Sequence, residues 1–565
     1  MKKILICGII VTGALTSCDS FLDIHPDDTF TNTPSYWSNT DNLDNQCNTF
    51  LNNYTGYGNG GSYGWFYFKT LGDDQVNFSD NNWEYTNVVA SSLDWKYPFE
   101  DVRHANYVLT GLKSSSLAYE TKANYEGIAK LNRAWTYYQL VRQYGDVPFI
   151  NTVVTTEDDD ILYGPRIDRD VVMDSVLNDL NYAAEHITQT NKQRFTADMA
   201  LAMKAEIALY EGTYCKYRTA EDNAGKAANP DRAQRYLNEC VDACNKLMAK
   251  DYKLNESYRG NYNSTDLSKN PEMIFYKPYS KNKLHHSTID YTMNTGGTNG
   301  MTKDAFDAYL FLDGKPKATT TMNTNDAATK NADGQYSIEA QLAVRDKRLA
   351  ETIDPILAFK GHDYKRAGSS GFTSSTGYAV CKYDNVTELT VDERNNIGRQ
   401  YTDCPIYWLS VIYLNFAEAK AELGTITQTD LDNSVNKLQT RAGLPGIQLA
   451  PAADADNNMN VSNQLREIRR TRRCELMFDN WTRYWDLIRW HQLHLLDSEQ
   501  HPNIYLGANL SNVTNPEEDL TPNGYMIGSN TINQVRRFDK KYYFYPIPTG
   551  QITLGGGGLT QNPGW

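Results

Sequence analysis

The chain has 565 residues, too long for one simple core, and length alone predicts about three or four domain-sized units. Its net charge of −14 argues against a nucleic-acid surface. A mean hydropathy of −0.61 beside 39 Tyr and ten Trp leaves more flat, amphipathic ring surface than a core needs, and such rings suit sugar faces.

Lys2 and Lys3 precede an apolar run from Ile4 to Leu15, which Thr16, Ser17 and Cys18 close. The run falls short of the about 20 residues that a spanning helix needs. Its basic flank predicts a cleaved signal peptide over 1–17. Small residues before Cys18 predict that this cysteine is lipidated, each buried acyl CH₂ contributing about 0.8 kcal/mol of anchoring. No second long apolar segment follows, so the remainder is expected to be tethered rather than inserted. With Cys7 and Cys18 set aside, seven cysteines remain. An odd number excludes a complete disulfide framework, and hydrophobic packing must hold the fold.

Residues 50–92 are rich in Asn, Gly, Ser, Thr and Tyr and show little helical periodicity. Helical stripes then follow in order. Trp95, Phe99, Val102 and Leu109 share one face. Ile128, Leu131, Trp135 and Tyr138 share the next, which Gly145 and Pro148 end. Val172, Val176, Leu180, Ala183 and Ile187 form a third. Leu201, Ala205, Ala208, Leu209 and Gly212 form a fourth, whose small residues permit close approach of a neighbour. Ala233, Tyr236, Leu237, Cys240, Val241, Cys244, Leu247 and Met248 keep the spacing for four turns. Glu157 to Asp160 could offer oxygen ligands to calcium, but lacks a calcium-loop spacing. Residues 255–400 are polar and irregular, and their aromatic content argues for ordered, loop-rich insertions. Periodicity returns at Leu409, Ile412, Tyr413 and Phe416. It continues through Leu431, Val435, Leu438 and Ala442, and a last helix is predicted over Gln464 to Phe478. The helix pairs resemble tetratricopeptide repeats with interrupted copies, which must stack to bury their faces. The predicted fold is mainly α: tetratricopeptide-like helix pairs forming a curved scaffold, overlaid by loop-rich insertions with few short strands.

No His-Glu-x-x-His, Gly-x-Ser-x-Gly, phosphate-loop or dinucleotide glycine motif occurs. Cys240 and Cys244, one turn apart, lie on an apolar stripe and read as core. His285 and His286 lack further ligands at metal spacing. No catalytic residue, metal or cofactor is assigned.

The chain resembles the SusD/RagB family of surface nutrient-binding lipoproteins over nearly its whole length. Cys18 to Asp23 is similar to the family's lipidated start. Lys130–Trp135 with Arg142–Pro148, Arg194–Ala205 with Leu209–Gly212, and Arg345–Leu349 resemble its internal segments. Arg473–Leu476, Arg483–Trp490, Tyr545–Pro548 and Leu559–Trp565 resemble its ending, with Asp479-Asn480 where the family has Glu-Gly. The charged and aromatic residues of 473–490 are read as locks holding a late helix on the scaffold. The resemblance implies one SusD-like domain over 18–565: an N-terminal part to about 150, repeat-like helices at 151–255 and 400–490, a loop-rich insertion at 256–400, and a C-terminal segment at 491–565.

It further implies capture of an oligosaccharide without chemistry, at the cell surface on the outer membrane, and delivery to a SusC-like TonB-dependent transporter. Peptide capture by the same fold is the alternative, and a surface glycoside hydrolase a more distant one. A sugar ring stacks its CH face on Trp or Tyr, and its hydroxyls need Asn or Asp beside them. The first candidate segment, 57–85, supplies Tyr63, Trp65, Tyr67, Trp83 and Tyr85 with Asp73, Asn81 and Asn82. Alternation at Tyr63, Trp65 and Tyr67 equally fits one inward face of a strand. The second, 276–294, supplies Tyr279 and Tyr291.

Overall fold

The computed structural model describes residues 32–66, 71–77, 87–293, 299–362, 364, 366–368, 374–479, 482–528 and 536–565. After α1 (Thr40–Thr49), α2 (Leu93–Ser114) packs on α3 (Tyr119–Tyr144). Then α4 (Arg169–His186), α5 (Ala197–Tyr217) and α6 (Pro230–Met248) each lie against their predecessor. The long middle segment intervenes before α7 (Leu409–Glu422), which packs on α6 and on α8 (Asn463–Glu475), while α9 (Thr482–Arg489) lies against α5. The mainly α scaffold of successive antiparallel-type pairs is therefore the predicted one, and strands are few and short.

Local chemistry sets the helix ends. The Asn229 side chain accepts the Arg232 N–H at 3.0 Å ahead of Pro230, which opens α6. The Thr196 hydroxyl accepts from Met199 at 3.0 Å and starts α5. Gly145 ends α3 at φ +73, and a Cβ there would lie 2.9 Å from the Phe544 ring. The predicted small face on α5 is used as expected: a Cβ on Gly212 would meet Leu237 Cγ at 2.8 Å, so only glycine lets α6 come this close. Leu237 and Leu247 are fully buried along that seam, each contributing about 1.5–3 kcal/mol. Cys240 and Cys244 sit among them as core, and all seven cysteines of the described residues are buried free thiols.

The stripe from Leu431 to Ala442 is not one helix. It breaks at Ser434 (φ −131, ψ −102) into Gln428–Asn433 and Val435–Arg441. The Ser434 hydroxyl donates to the Asp430 carbonyl at 2.6 Å, offering the backbone a local alternative to helix. Leu431, Val435 and Leu438 stay buried, so the apolar period survives the break. The helix expected to be the last, α8, ends at Glu475 rather than Phe478, whose φ is +67, and α9 follows it. No helix of the described residues is long and apolar enough to cross a membrane.

Four of the five two-stranded pairings among the described residues place the loops. A hairpin joins β1 (Gly58–Asn59) to β2 (Ser62–Tyr63), and β3 (Gln75–Asn77) pairs antiparallel with β5 (Asn299–Met301). The strand β4 (Met273–Lys277) pairs with β6 (Cys404–Trp408) just before α7, and Leu506–Asn509 pairs with Tyr525–Ile527.

Candidate functional site

Two segments separated by more than 200 residues meet at the β1–β2 hairpin. Gly60 and Gly61 form its two-residue turn, Gly60 at φ +57. The Gly60 N–H donates to the His285 carbonyl at 2.8 Å. The Ser287 hydroxyl donates to the Gly60 carbonyl at 2.6 Å and accepts the Gly398 N–H at 2.7 Å. Tyr291 donates to the Gly61 carbonyl and Tyr279 to the Gly58 carbonyl, each at 2.7 Å. The hairpin is thus bolted to residues 279–291 and 398 through its own main chain.

These bonds correct part of the sequence reading. Tyr279 and Tyr291 are only 5% and 7% exposed, and their hydroxyls hold backbone carbonyls, so they brace the face rather than offer free contacts. Asp73, 2% exposed, accepts two bonds from Arg483 at 2.7 and 2.6 Å, inside a charge cluster. Trp65 turns inward against Tyr54 and Trp135, with ring centroids 6.0 and 5.7 Å away, and stays partly accessible. Tyr63 instead points outward at 64% exposure, its ring edge-on to Tyr291 at 5.0 Å. The strand ends at Tyr63, so the alternation of Tyr63 with Trp65 does not continue one face. Tyr67, Asn81, Asn82, Trp83 and Tyr85 lie outside the described residues, as does Cys18. The chain enters 78–86 from Asn77 and leaves 294–298 at Asn299, and these two asparagines are paired and joined by a 2.8 Å side-chain bond.

Sequence reasoning missed the brace residues Ser287 and Gly398 and the exposed Ile397 near Gly61. The Tyr57-to-Tyr63 run, with Gly-Gly between flanking polar residues, carried the hairpin signal.

Beneath the face, His286 is fully buried. Its Nε2 donates to the Thr402 carbonyl at 3.1 Å and its Nδ1 accepts the Thr288 N–H at 3.2 Å, which suits the neutral ring. Burial pushes its pKa down to about 3. An unfolded imidazole takes its proton near pH 6.5, so between about pH 6.5 and 3 the unfolded state binds more protons and stability falls as pH falls. His286→Gln is expected to flatten the stability-versus-pH curve by about 1.4 kcal/mol per pH unit between pH 6 and 4. Urea midpoints at four pH values check this, and parallel curves for the two proteins would refute it.

Elsewhere, Asp170, Glu211 and Cys215 approach one another closely enough to share a cation. Arg218 binds Asp170 at 2.7 Å, and Arg169 and Arg232 bind Glu211 at 2.6 and 3.0 Å. Three guanidiniums already neutralise the carboxylates, and burial pushes the thiol well up, so the cluster reads as an ion-pair network. Asp158, in the acidic run, accepts the Thr155 N–H and hydroxyl at 2.7 and 2.8 Å and closes an exposed turn.

The charged residues of 473–490 act as locks. Arg473 binds Asp74 at 2.7 Å and Asp304 at 2.8 Å, and Arg472 binds Asp486 at 2.8 Å. Arg489 grips both oxygens of Glu418 on α7 at 2.6 and 2.8 Å, and the Trp490 indole donates to the same carboxylate at 2.6 Å.

Comparison with known proteins agrees with this architecture. The sequence profile described as "SusD family" matches residues 248–565, and one described as "Starch-binding associating with outer membrane" matches residues 20–209. A SusD-like protein, P25, from Formosa agariphila is 25% identical over 410 residues, covering 70% of this chain and 69% of that one. A solved SusD-like carbohydrate binding protein from Bacteroides fragilis superposes with a TM-score of 0.70 at 18% identity, covering 92% of this chain and 99% of that one. A laminarin binding SusD-like protein superposes with a TM-score of 0.56 at 17% identity, covering 94% of this chain and 100% of that one.

Proposed function

The chain belongs to the SusD family, and on that footing we propose that it captures an oligosaccharide, without chemistry, on the face carried by the β1–β2 hairpin. The observation that carries this reading is Tyr63: a large ring 64% exposed, yet fixed by a hairpin whose main chain is tied to residues 279–291. A stacking ring that is held rigid before the ligand arrives loses little freedom on binding. The carbohydrate-binding and laminarin-binding neighbours and the starch-binding profile support a glycan. The same reading has Cys18 acylated, the protein on the outer face of the outer membrane, and a SusC-like TonB-dependent transporter receiving the ligand. The mass of Cys18-containing peptide from membrane-extracted protein, and co-purification of a β-barrel partner, test those two parts.

Affinity electrophoresis of residues 19–565 against a polysaccharide panel tests the capture itself. One polysaccharide should retard the protein, and Tyr63→Ala should weaken that retardation by about tenfold, the scale of one stacked ring at about 1–1.5 kcal/mol. Release of new reducing ends, or full retardation in the variant, would overturn the reading. Retardation by no glycan would move the assignment to peptides.

A further inference from the structure

A cavity of about 520 Å³ opens beside α8, lined by no residue of the hairpin or of 279–291, and its wall is cationic in an unusual way. Arg466, Arg469, Arg470 and Arg473 all line it. Their spacing along α8 is i, i+3, i+4 and i+7, which puts four like charges on one helical face. Arg483 and Lys317 add to the wall from other segments, against the carboxylates of Asp73, Asp304, Asp307 and Asp456.

The carboxylates do not serve these cations evenly. Arg473 is held by Asp74 and Asp304, Arg483 by Asp73, Lys317 by Asp326, and Arg470 by Asp454 with Glu467 at 3.2 Å. Arg469 is only 1% exposed. Its Nη2 binds Glu422 at 2.8 Å, while its Nε and Nη1 have no partner. Its guanidinium is stacked 4.2 Å from the Trp490 ring, which fixes its plane. Arg466 is left with Asp454 at 3.6 Å and a 3.4 Å bond to the Asp456 carbonyl. Burial and then the neighbouring Arg470 push the Arg466 pKa down to about 10, the mark of a guanidinium short of negative charge.

Buried N–H groups and buried charge without partners are costly, and water can satisfy the first but not the second. A planar guanidinium fork matches an oxyanion through paired N–H bonds. The volume lies within the range of small-molecule sites and exceeds what a bare ion needs.

We propose that this cavity is an oxyanion-binding site in which Arg466 and Arg469 receive a sulfate, phosphate or carboxylate group. The site is separate from the hairpin face and does not depend on what that face binds. The anion's source is either an inorganic ion or an acidic group carried by a sugar, and the two share the same recognition.

Calorimetry on residues 19–565 tests it, with sodium sulfate, glucose 6-sulfate and glucuronate each titrated at ionic strength matched with chloride. At least one should bind saturably. Arg466→Gln should weaken that binding by at least tenfold while leaving the melting temperature in chloride within a few degrees of the parent. Crystals soaked in selenate should show an anomalous peak in the cavity between α8 and residues 500–503, which locates the site independently of any variant. Tenfold tighter binding of glucose 6-sulfate than of sulfate assigns a sugar-borne group, and equal binding assigns the inorganic ion. No saturable binding by any of the three, unchanged affinity in Arg466→Gln, or selenate only outside the cavity would overturn the proposal.

Discussion

Arg489→Ala is expected to cost about 3–5 kcal/mol of stability, the range for removing one partner of a buried ion pair. The Glu418 carboxylate is fully buried on α7 and receives both Arg489 bonds and the Trp490 indole. Burial alone would push the Glu418 carboxyl up, but the guanidiniums of Arg489, Arg472 and Arg469 outweigh it and hold it well below the usual range. Without Arg489, that charge must either stay buried with weaker compensation or take up a proton. Arg489 also binds Asp486 at 2.8 Å and the Thr213 hydroxyl at 3.1 Å on α5, so one side chain ties α5, α7 and α9 together. Urea unfolding of Arg489→Ala, Glu418→Gln and the double variant should show strong coupling, with the double variant close to the worse single one. A loss below about 1 kcal/mol for Arg489→Ala would mean that the network relaxes and that the pair is not a lock.

Gly64→Ala is expected to abolish ligand retention while most of the helical scaffold remains. A Cβ at Gly64 would lie 2.0 Å from the Gly56 carbonyl oxygen, 2.4 Å from the Gly58 nitrogen and 2.4 Å from the Tyr57 carbonyl carbon. All three are backbone atoms, so no side-chain rotation relieves the clash and the hairpin must open. Opening moves Tyr63 and breaks the bonds from Tyr279 and Tyr291 that set the face. Gly60→Ala is the matched control. Nothing lies within 4 Å of that Cβ, so it meets only the strain of a positive φ, about 1–2 kcal/mol. Affinity electrophoresis should show retention lost in Gly64→Ala and largely kept in Gly60→Ala, with helical circular dichroism preserved in both. Full retention in Gly64→Ala would show that the hairpin is not the platform.

The legible and illegible parts of this protein divide along a physical line. The stripes of α3 to α7 were readable because each helix buries one face, and burial imprints a 3.6-residue period on the chain. Gly145 and Gly212 were readable for a related reason: a stop and a close approach both need the absence of a side chain. Ser434 was not, since a single serine competing for a carbonyl leaves the apolar period intact while breaking the helix.

At the hairpin face, composition pointed to two segments without showing which way any ring points. Tyr63 and Trp65 are two residues apart, yet one faces solvent and the other the core, because the strand carrying the first ends before the second. Tyr279 and Tyr291 looked like contacts because tyrosine suits sugars, but a phenol hydroxyl equally suits a backbone carbonyl left over by a tight hairpin. Asp73 was misread because its partners Arg473 and Arg483 lie about 400 residues further along the chain, and pairing at that separation has no local signature. The sequence by itself determined the helical scaffold and the family, both carried by local period and motif. Only the tertiary structure decided that the two segments meet at one hairpin, which tyrosines brace and which one projects, and that four arginines of α8 are unevenly neutralised. Those outcomes depend on which distant groups meet across the core, where each carbonyl, carboxylate and guanidinium must find its partner.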